Sequence, residues 1–346
     1  MDILYSSSDS YAFLTGISIL SLLENNKDAE VINIYIMDNK ISDENKNKLR
    51  ETVCLFGRNI NFVPMPDIKK LTGHDIQTGR WNISTFGRLF MASVLPETVH
   101  MVLNIDCDTI VLGSLQDIFD TDMTDKVYAG VSECMNWRYR CNIGCKKEDF
   151  YFNAGVVYLN LDEVRKGGYE KKFIDNIIEY GNSLAYLDQD VLNGVVEQQK
   201  KQLLPLKYDV LSIYYYTTYD ELIEIRRSKD FYNRDEYNQA KNTPSIVHFT
   251  TCFLDGLRPW IEGNRHPYRQ KFLEYKSLSL WKEEKFWADN RSVKDKMMQK
   301  MLCGLPRPIM CWVASILHGV IYPKRNGTKM RKMESINEKR GINSCS

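Results

Sequence analysis

Apolar residues alternate between two spacings along the first sixty residues. Ile3–Ser6 is a short apolar run that predicts a strand, and Ser7-Ser8-Asp9-Ser10 reads as a turn and helix cap. Phe13, Leu14, Ile17, Leu20 and Leu23 then recur at helical spacing within Tyr11–Glu24. Val31–Met37 predicts a second strand, Ser42–Phe56 an amphipathic helix and Asn59–Val63 a third strand. Strand alternating with helix is the pattern of a parallel sheet joined by right-handed crossovers. Further along, Ser84–Leu95 reads as helical, and His100–Ile105, Val127–Ser132, Gly155–Leu161 and Ser245–Phe249 as strands. Asp188–Val196 reads as a short helix, and from about His266 the pattern is helical and basic. The opening strand–turn–helix has no G-x-G-x-x-G, so a dinucleotide-binding fingerprint is absent.

The composition, 43% hydrophobic and 26% charged, excludes a disordered or low-complexity chain of 346 residues. The formal charge of +1 gives no sign of a nucleic-acid partner, but it conceals an asymmetry. Arg291–Ser346 carries twelve Lys and Arg against three Asp and Glu, leaving 34 against 42 in the body. Such asymmetry marks contact with an anionic surface. The nine cysteines form no C-x2-C pair and read as free thiols in a reducing cytosol. The amino terminus has neither a basic region nor a long apolar stretch of the secretory kind.

Candidate chemistry lies at strand ends. Asp106-Cys107-Asp108 follows the buried run Met101–Ile105 directly. In open α/β sheets ligands sit beyond the carboxyl ends of strands. Carboxylates at i and i+2 of an extended segment point the same way, with Cys107 opposite. Two such carboxylates repel unless a cation lies between them, and hard oxygen ligands suit Mg²⁺ or Mn²⁺. Asn153-Ala154-Gly155 opens an otherwise apolar strand with small residues that let a ligand approach backbone. Leu187-Asp188-Gln189-Asp190 places three acid or amide side chains at a helix start. His248 ends the strand Ile246-Val247-His248-Phe249, with Arg258-Pro259-Trp260 ten residues on.

Together, in this order, these segments resemble glycosyltransferase family 8, the retaining nucleotide-sugar transferases. The likeness runs from Met1 to about Pro267. It implies an α/β fold of the GT-A type, a mainly parallel nucleotide-sugar-binding sheet, over residues 1–267, with a helical basic region at 268–346. It implies Mn²⁺ (or Mg²⁺) held by Asp106, Asp108 and His248, and a UDP-sugar, glucose or galactose, as donor. Arg88 matches a family arginine near the donor. Ser6, Ser8 and Ser10 match the turn that holds the nucleoside, with Asp9 between them, and Asp106-Cys107-Asp108 lines the same cleft. Asn153, Asp188 and Gln189 match catalytic positions around the transferred sugar. The chain departs from the family's usual Asp or Asn on the first turn, and carries Arg258 where Lys is common. An Arg can pair with a diphosphate through two parallel hydrogen bonds. The implied acceptor is a glycan or lipid-linked saccharide of surface polysaccharide or lipopolysaccharide synthesis. Two other readings stand beside this one: a sugar nucleotidyltransferase, whose Gly-rich basic loop is missing at Ser6–Ser10, and a non-catalytic nucleotide-sugar-binding scaffold.

The segment between Pro308 and Pro323 is apolar, with Trp312 and Tyr322, and is flanked by Arg307 and by Lys324, Arg325, Lys329, Arg331 and Lys332. As a helix its 14 residues reach about 21 Å, short of a bilayer core of about 30 Å. The pattern suits peripheral attachment of a cytoplasmic protein to the anionic inner face of a membrane.

Overall fold

The computed structural model describes residues 1–76, 83–254 and 257–339. Ten strands form two sheets: β1 (Asp2–Ser8), β2 (Asn33–Asn39), β3 (Asn59–Pro64), β4 (Met101–Ile105), β5 (Thr109–Val111), β6 (Tyr128–Ser132), β7 (Phe152–Asn160), β8 (Lys201–Leu203), β9 (Val210–Leu211) and β10 (Ile246–His248). The larger sheet has the order β3-β2-β1-β4-β7-β6-β8. Its pairs are parallel except at β7, which runs against both β4 and β6. The smaller sheet, β5-β10-β9, pairs β10 antiparallel to β5 and parallel to β9. The α/β, mainly parallel expectation therefore holds, and the late strand belongs to a second sheet that alternation alone did not reveal.

The helices used below are α1 (Ala12–Asn25), α2 (Asp43–Cys54), α3 (Tyr169–Tyr180), α4 (Leu187–Val195), α5 (Tyr219–Arg226), α6 (Arg269–Leu278), α7 (Val293–Cys303), α8 (Arg307–Ile316) and α9 (Tyr322–Lys339). Ser42, read from the sequence as the first residue of the helix, is instead its cap and accepts a hydrogen bond from the Asn45 amide. Ser84–Leu95, read as one helix, is a 3₁₀ segment over Ile83–Phe90 followed by a short α-turn over Met91–Val94.

The strand alternation sorts the core into two layers. Ile3, Tyr5, Leu103, Ile105, Val156 and Tyr158 face a core shared with α1 and the smaller sheet. Leu4, Val102, Val157 and Leu159 face the other, with Phe86, Phe90 and Val191. The first core also contains Phe272, Trp281, Met310, Cys311 and Ala314, so buried packing continues without a break past residue 267. Met330 of α9 is buried in a third, smaller cluster with Tyr139 and Tyr151.

Candidate active site

The carboxyl ends of β1 and β4, the amino end of antiparallel β7 and the start of α4 meet along one edge of the large sheet. The small sheet brings in the histidine. His248 pairs with Thr109 across β10 and β5, and the Phe249 amide donates to the Asp108 carbonyl at 2.8 Å. Asp106, Asp108 and His248 each offer a ligand atom within 4.8 Å of the others. The His248 Nε2 lies 3.2 Å from Asp108 Oδ1 and 3.7 Å from Asp106 Oδ2.

Each carboxylate divides its two oxygens. Asp106 gives Oδ1 to Arg88 Nη2 at 2.6 Å and turns Oδ2 toward His248. Asp108 gives Oδ2 to Arg258 Nη2 at 3.2 Å and turns Oδ1 toward His248. The His248 Nδ1 lies 2.9 Å from Asp209 Oδ1, a carboxylate with no exposure. That pair fixes the ring's orientation and leaves Nε2 for the centre, the arrangement in which a carboxylate supports a metal-binding imidazole. Two hard carboxylate oxygens and one oriented imidazole nitrogen fit Mn²⁺ or Mg²⁺.

The charges respond to this crowding. Burial raises the Asp106 pKa, against the pull of Arg88 and His248. Burial acts likewise on Asp108, but Arg258 and His248 outweigh it and hold its pKa near about 2. Burial disfavours the His248 cation, yet Asp209 and Asp108 hold its pKa well above the imidazole value.

Arg88 is the hub of the wall beside this cluster. Besides Asp106, it pairs through Nε with Asp188 Oδ2 at 2.9 Å and donates through Nη1 to the Ala154 carbonyl. Burial pushes Asp188 up to about 7, with Arg88 pulling it back only in part. Gln189 Oε1 accepts from the Ala154 amide at 3.1 Å, and Gln189 Nε2 donates to Glu133 Oε2 at 3.1 Å. Asn153 Nδ2 donates to the same Glu133 oxygen at 3.0 Å, while its Oδ1 accepts from the Gly155 amide at 2.8 Å. Gly155 has a steric reason to be glycine: a Cβ there would lie 2.2 Å from His248 Cε1. Asp190 points elsewhere, accepting the Tyr139 and Tyr151 hydroxyls, each at 2.7 Å, and the Ala185 and Tyr186 amides, each at 2.9 Å. It clamps the turn in which Leu187 holds a left-handed φ of 40°.

The first turn is looser. Ser8 and Ser10 hydroxyls lie 3.2 Å apart at the surface, and Ser6 Oγ reaches Met37 Sδ at 3.7 Å. Asp9 Oδ1 accepts from the Ser42 amide and Asn45 Nδ2, each at 2.8 Å, which ties the turn to the start of α2. These bonds hold the Asp9 pKa below the usual carboxylate value. The Cys107 side chain faces away from the two aspartates, its thiol donating to the Ser6 carbonyl at 2.9 Å and pushed by burial to about 12.

The structure thus brings Arg88, Asp106, Asp108, Asn153, Asp188, Gln189, His248 and Arg258 to one edge. Two contributors escaped the sequence reading, Glu133 and Asp209. Glu133 follows the buried run Tyr128–Ser132 directly, the same acid-after-strand signal that singles out Asp106. Asp209 is a carboxylate set between apolar Tyr208 and Val210-Leu211.

The model of Glycosyl transferase family 8 matches residues 2–262. General stress protein A of Bacillus subtilis (strain 168) is 26% identical over 284 residues, covering 81% of this chain and 94% of that protein. A lipopolysaccharide 1,2-glucosyltransferase of Escherichia coli is 25% identical over 281 residues, 79% of this chain and 77% of that one. The crystal structure of the galactosyltransferase LgtC in complex with donor and acceptor sugar analogs has the same fold. It superposes with a TM-score of 0.68 at 23% identity, over 81% of this chain and 96% of that one. With the family model spanning three quarters of its length, the chain belongs to glycosyl transferase family 8.

Proposed function

We propose that this glycosyltransferase moves a hexose, glucose or galactose, from a UDP-sugar to a glycan or lipid-linked acceptor with retention at the anomeric carbon. The observation that carries the reading is the convergence of Asp106, Asp108 and His248 between two arginines. Asp106, Asp108 and His248 would hold Mn²⁺ (or Mg²⁺), whose charge would neutralise a leaving diphosphate. Arg258, which pairs with Asp108, would take a phosphate oxygen. Arg88 and Asp188 form a fixed pair on the sugar side, and Gln189 presents an amide held at both ends.

Retention needs either an enzyme nucleophile or attack on the face the diphosphate leaves. Asp188 is held by Arg88, both Asp190 oxygens are enclosed by hydrogen bonds, and an amide such as Gln189 is a poor nucleophile. We therefore favour same-face attack. The acceptor oxygen bonds to the anomeric carbon as the bond to phosphate breaks, and the acceptor proton passes to the departing phosphate oxygen. The Gln189 amide would stabilise the charge that develops on the sugar.

Incubation with Mn²⁺ and a panel of nucleotide sugars tests the reading, with UDP release expected from UDP-glucose or UDP-galactose. Asp106→Ala should abolish that release. No release from any sugar donor would leave a binding scaffold, and transfer of the nucleotidyl group instead would identify a nucleotidyltransferase. A covalent sugar trapped on Asp188 or Asp190 would overturn the same-face route.

The acceptor reading extends to an anionic membrane surface at its cytoplasmic side, through the C-terminal region. No helix among the described residues is long and apolar enough to cross a membrane. Within the apolar segment, Met310, Cys311 and Ala314 are buried, while Ile309, Trp312 and Tyr322 are exposed. More apolar surface is exposed on α7, which has no buried residue. Its Met297, Met298 and Met301 are 60%, 57% and 69% exposed, while polar Gln299 faces inward and donates to the Leu254 carbonyl. A helix with its apolar face outward and Lys294, Lys296 and Lys300 along it suits an anionic bilayer. Flotation with phosphatidylglycerol vesicles should carry the protein at low salt and lose it when the three methionines become serine. Equal recovery with neutral vesicles would remove the electrostatic part of this reading.

A further inference from the structure

We infer that the C-terminal helices α8 and α9 position the side chains on the sugar side of the site, so that this region is a working part of the transferase as well as an attachment surface. The inference rests on the glycosyl-transfer reading above.

Two separate routes lead from these helices to Gln189. The first starts at Met330 of α9, which is buried with Tyr139, Tyr151, Met135, Ile143 and Cys145. The hydroxyls of Tyr139 and Tyr151 both end on Asp190, and the rings stand edge to face at 6.0 Å. Asp190 in turn holds the Ala185 and Tyr186 amides, which set the left-handed Leu187 and so the direction in which Asp188 and Gln189 leave the turn. Removing Met330 would open space behind the two rings that fix this carboxylate.

The second route starts at His318, between α8 and α9. Its Nδ1 is 3.4 Å from Arg226 Nη1, and its ring packs on Phe253 and Tyr322 at 4.6 and 5.1 Å. Arg226 Nη2 approaches Glu133 Oε1 at 3.9 Å. The other Glu133 oxygen receives the amides of Asn153 and Gln189. Glu133 is therefore a positioning residue: it sets which way both amides are turned, and Arg226 stands behind it.

The helices are seated firmly enough to act this way. Arg307 grips Glu221 through two hydrogen bonds of 2.6 and 2.8 Å. Arg227 donates to Ser315 Oγ at 3.2 Å and crosses Gly319, where a Cβ would lie 2.5 Å from its Cδ. Asn142 Nδ2 donates to the Pro323 carbonyl at 2.8 Å and lies 3.0 Å from Asn326 Oδ1. By contrast, the contacts of Asp106, Asp108 and His248 described above come from Arg88, Asp209 and Arg258, none of them in residues 307–339. The two halves of the site share Arg88, but only Asp190 and Glu133 are backed by the C-terminal helices, so a lesion in α8 or α9 should separate the halves.

The test uses the full chain with Met330→Ala, His318→Ala and the conservative Met330→Leu. UDP affinity with Mn²⁺ is measured by calorimetry, kcat and KM by UDP release, and folding by Tm. Misplacing a catalytic group from a distance costs up to about 10²-fold, so kcat should fall about tenfold or more in both alanine variants. UDP affinity should stay within about twofold, equivalent to about 0.4 kcal/mol, and Met330→Leu should recover most of the loss. Unchanged kcat in folded Met330→Ala and His318→Ala would overturn the inference, as would UDP affinity falling in step with kcat. Should Met330→Ala fail to fold, His318→Ala on the second route decides alone. A wild-type protein inactive on every sugar donor would sink the transferase reading instead.

Discussion

Replacing Gly155 by alanine adds one methyl group at the point where the two sheets meet. The new Cβ would lie 2.2 Å from His248 Cε1, 2.6 Å from Nδ1 and 3.0 Å from Asn153 Oδ1. Carbon atoms pack at about 3.5–4.0 Å, so the ring must retreat by more than about 1 Å. Retreat is opposed on both sides. His248 Nδ1 is tied to buried Asp209 at 2.9 Å, and the Gly155 carbonyl accepts the Asp106 amide at 2.8 Å, so neither ring nor strand moves without disturbing a proposed metal ligand. Displacement of this size costs about 10²-fold in rate, equivalent to about 2.7 kcal/mol of transition-state stabilisation. Overpacking should lower stability by about 1–3 kcal/mol, little enough to leave a folded protein. The assay is kcat/KM for UDP release as Mn²⁺ is titrated, with Tm alongside. We expect kcat/KM down about 10²-fold and half-saturation by Mn²⁺ shifted to higher concentration. A folded Gly155→Ala protein with wild-type kcat/KM and an unchanged Mn²⁺ titration would refute the argument that glycine is there to admit the histidine.

Three further outcomes follow from the same geometry. Asp209→Asn keeps an oxygen for His248 Nδ1 but removes the charge behind the ring, and Mn²⁺ affinity should fall about 10–100-fold by titration; no change would deny Asp209 that supporting role. Arg88→Ala leaves Asp188 without its cation and Asp106 with only His248, and should cost about 3–5 kcal/mol in chemical denaturation, part of it restored by Mn²⁺; a loss under about 1 kcal/mol would show the pairs to be worth no more than surface ones. Acid should loosen α8: the Arg307 hydrogen bonds hold Glu221 near about 2 and burial holds His318 near about 3, so both groups bind protons more readily unfolded. The Glu221 contribution is complete above about 4.5 and lost as pH falls toward 2, and that of His318 is complete above about 6.5 and lost toward 3. Hydrogen exchange across 307–322, corrected for its intrinsic rate, should therefore quicken between pH 7 and 4 through His318 and again below pH 4 through Glu221; exchange level over the first range would contradict the His318 assignment, and exchange level over the second that of Glu221.

The parts of this fold legible in the sequence are those whose signal is local. The run Ile3–Ser6 and the helical spacing from Phe13 to Leu23 needed no partner to be recognised, and β1 and α1 appear within a few residues of where the pattern places them. β5, β9 and β8 are two or three residues long and owe their extended form to their neighbours, so no period in the sequence marks them. The antiparallel course of β7 is likewise invisible, because direction in a sheet is set by pairing and leaves no trace in alternation. The same division runs through the site. Asp106 and Asp108 announce themselves after a buried strand, whereas Asp209 matters only because pairing of β9 with β10 sets it beside His248.

Asp188-Gln189-Asp190 shows where a geometric argument could have gone further. Successive residues at a helix start leave the axis about 100° apart, so three neighbouring polar side chains cannot all serve one ligand. The structure separates them by direction: Asp188 to Arg88, Gln189 to Ala154 and Glu133, and Asp190 back to Tyr139 and Tyr151. One of the two acids had to be architectural on helical geometry alone. Which one depended on where the aromatic cluster lies, and that cluster is assembled from residues 135 to 151 and from Met330, nearly two hundred positions apart. The same distance explains why the basic C-terminus reads in sequence as a separate appendage. Its charge is local and plain, while the contact that joins it to Tyr139, Tyr151 and through them to Asp190 exists only once the chain has folded back on itself.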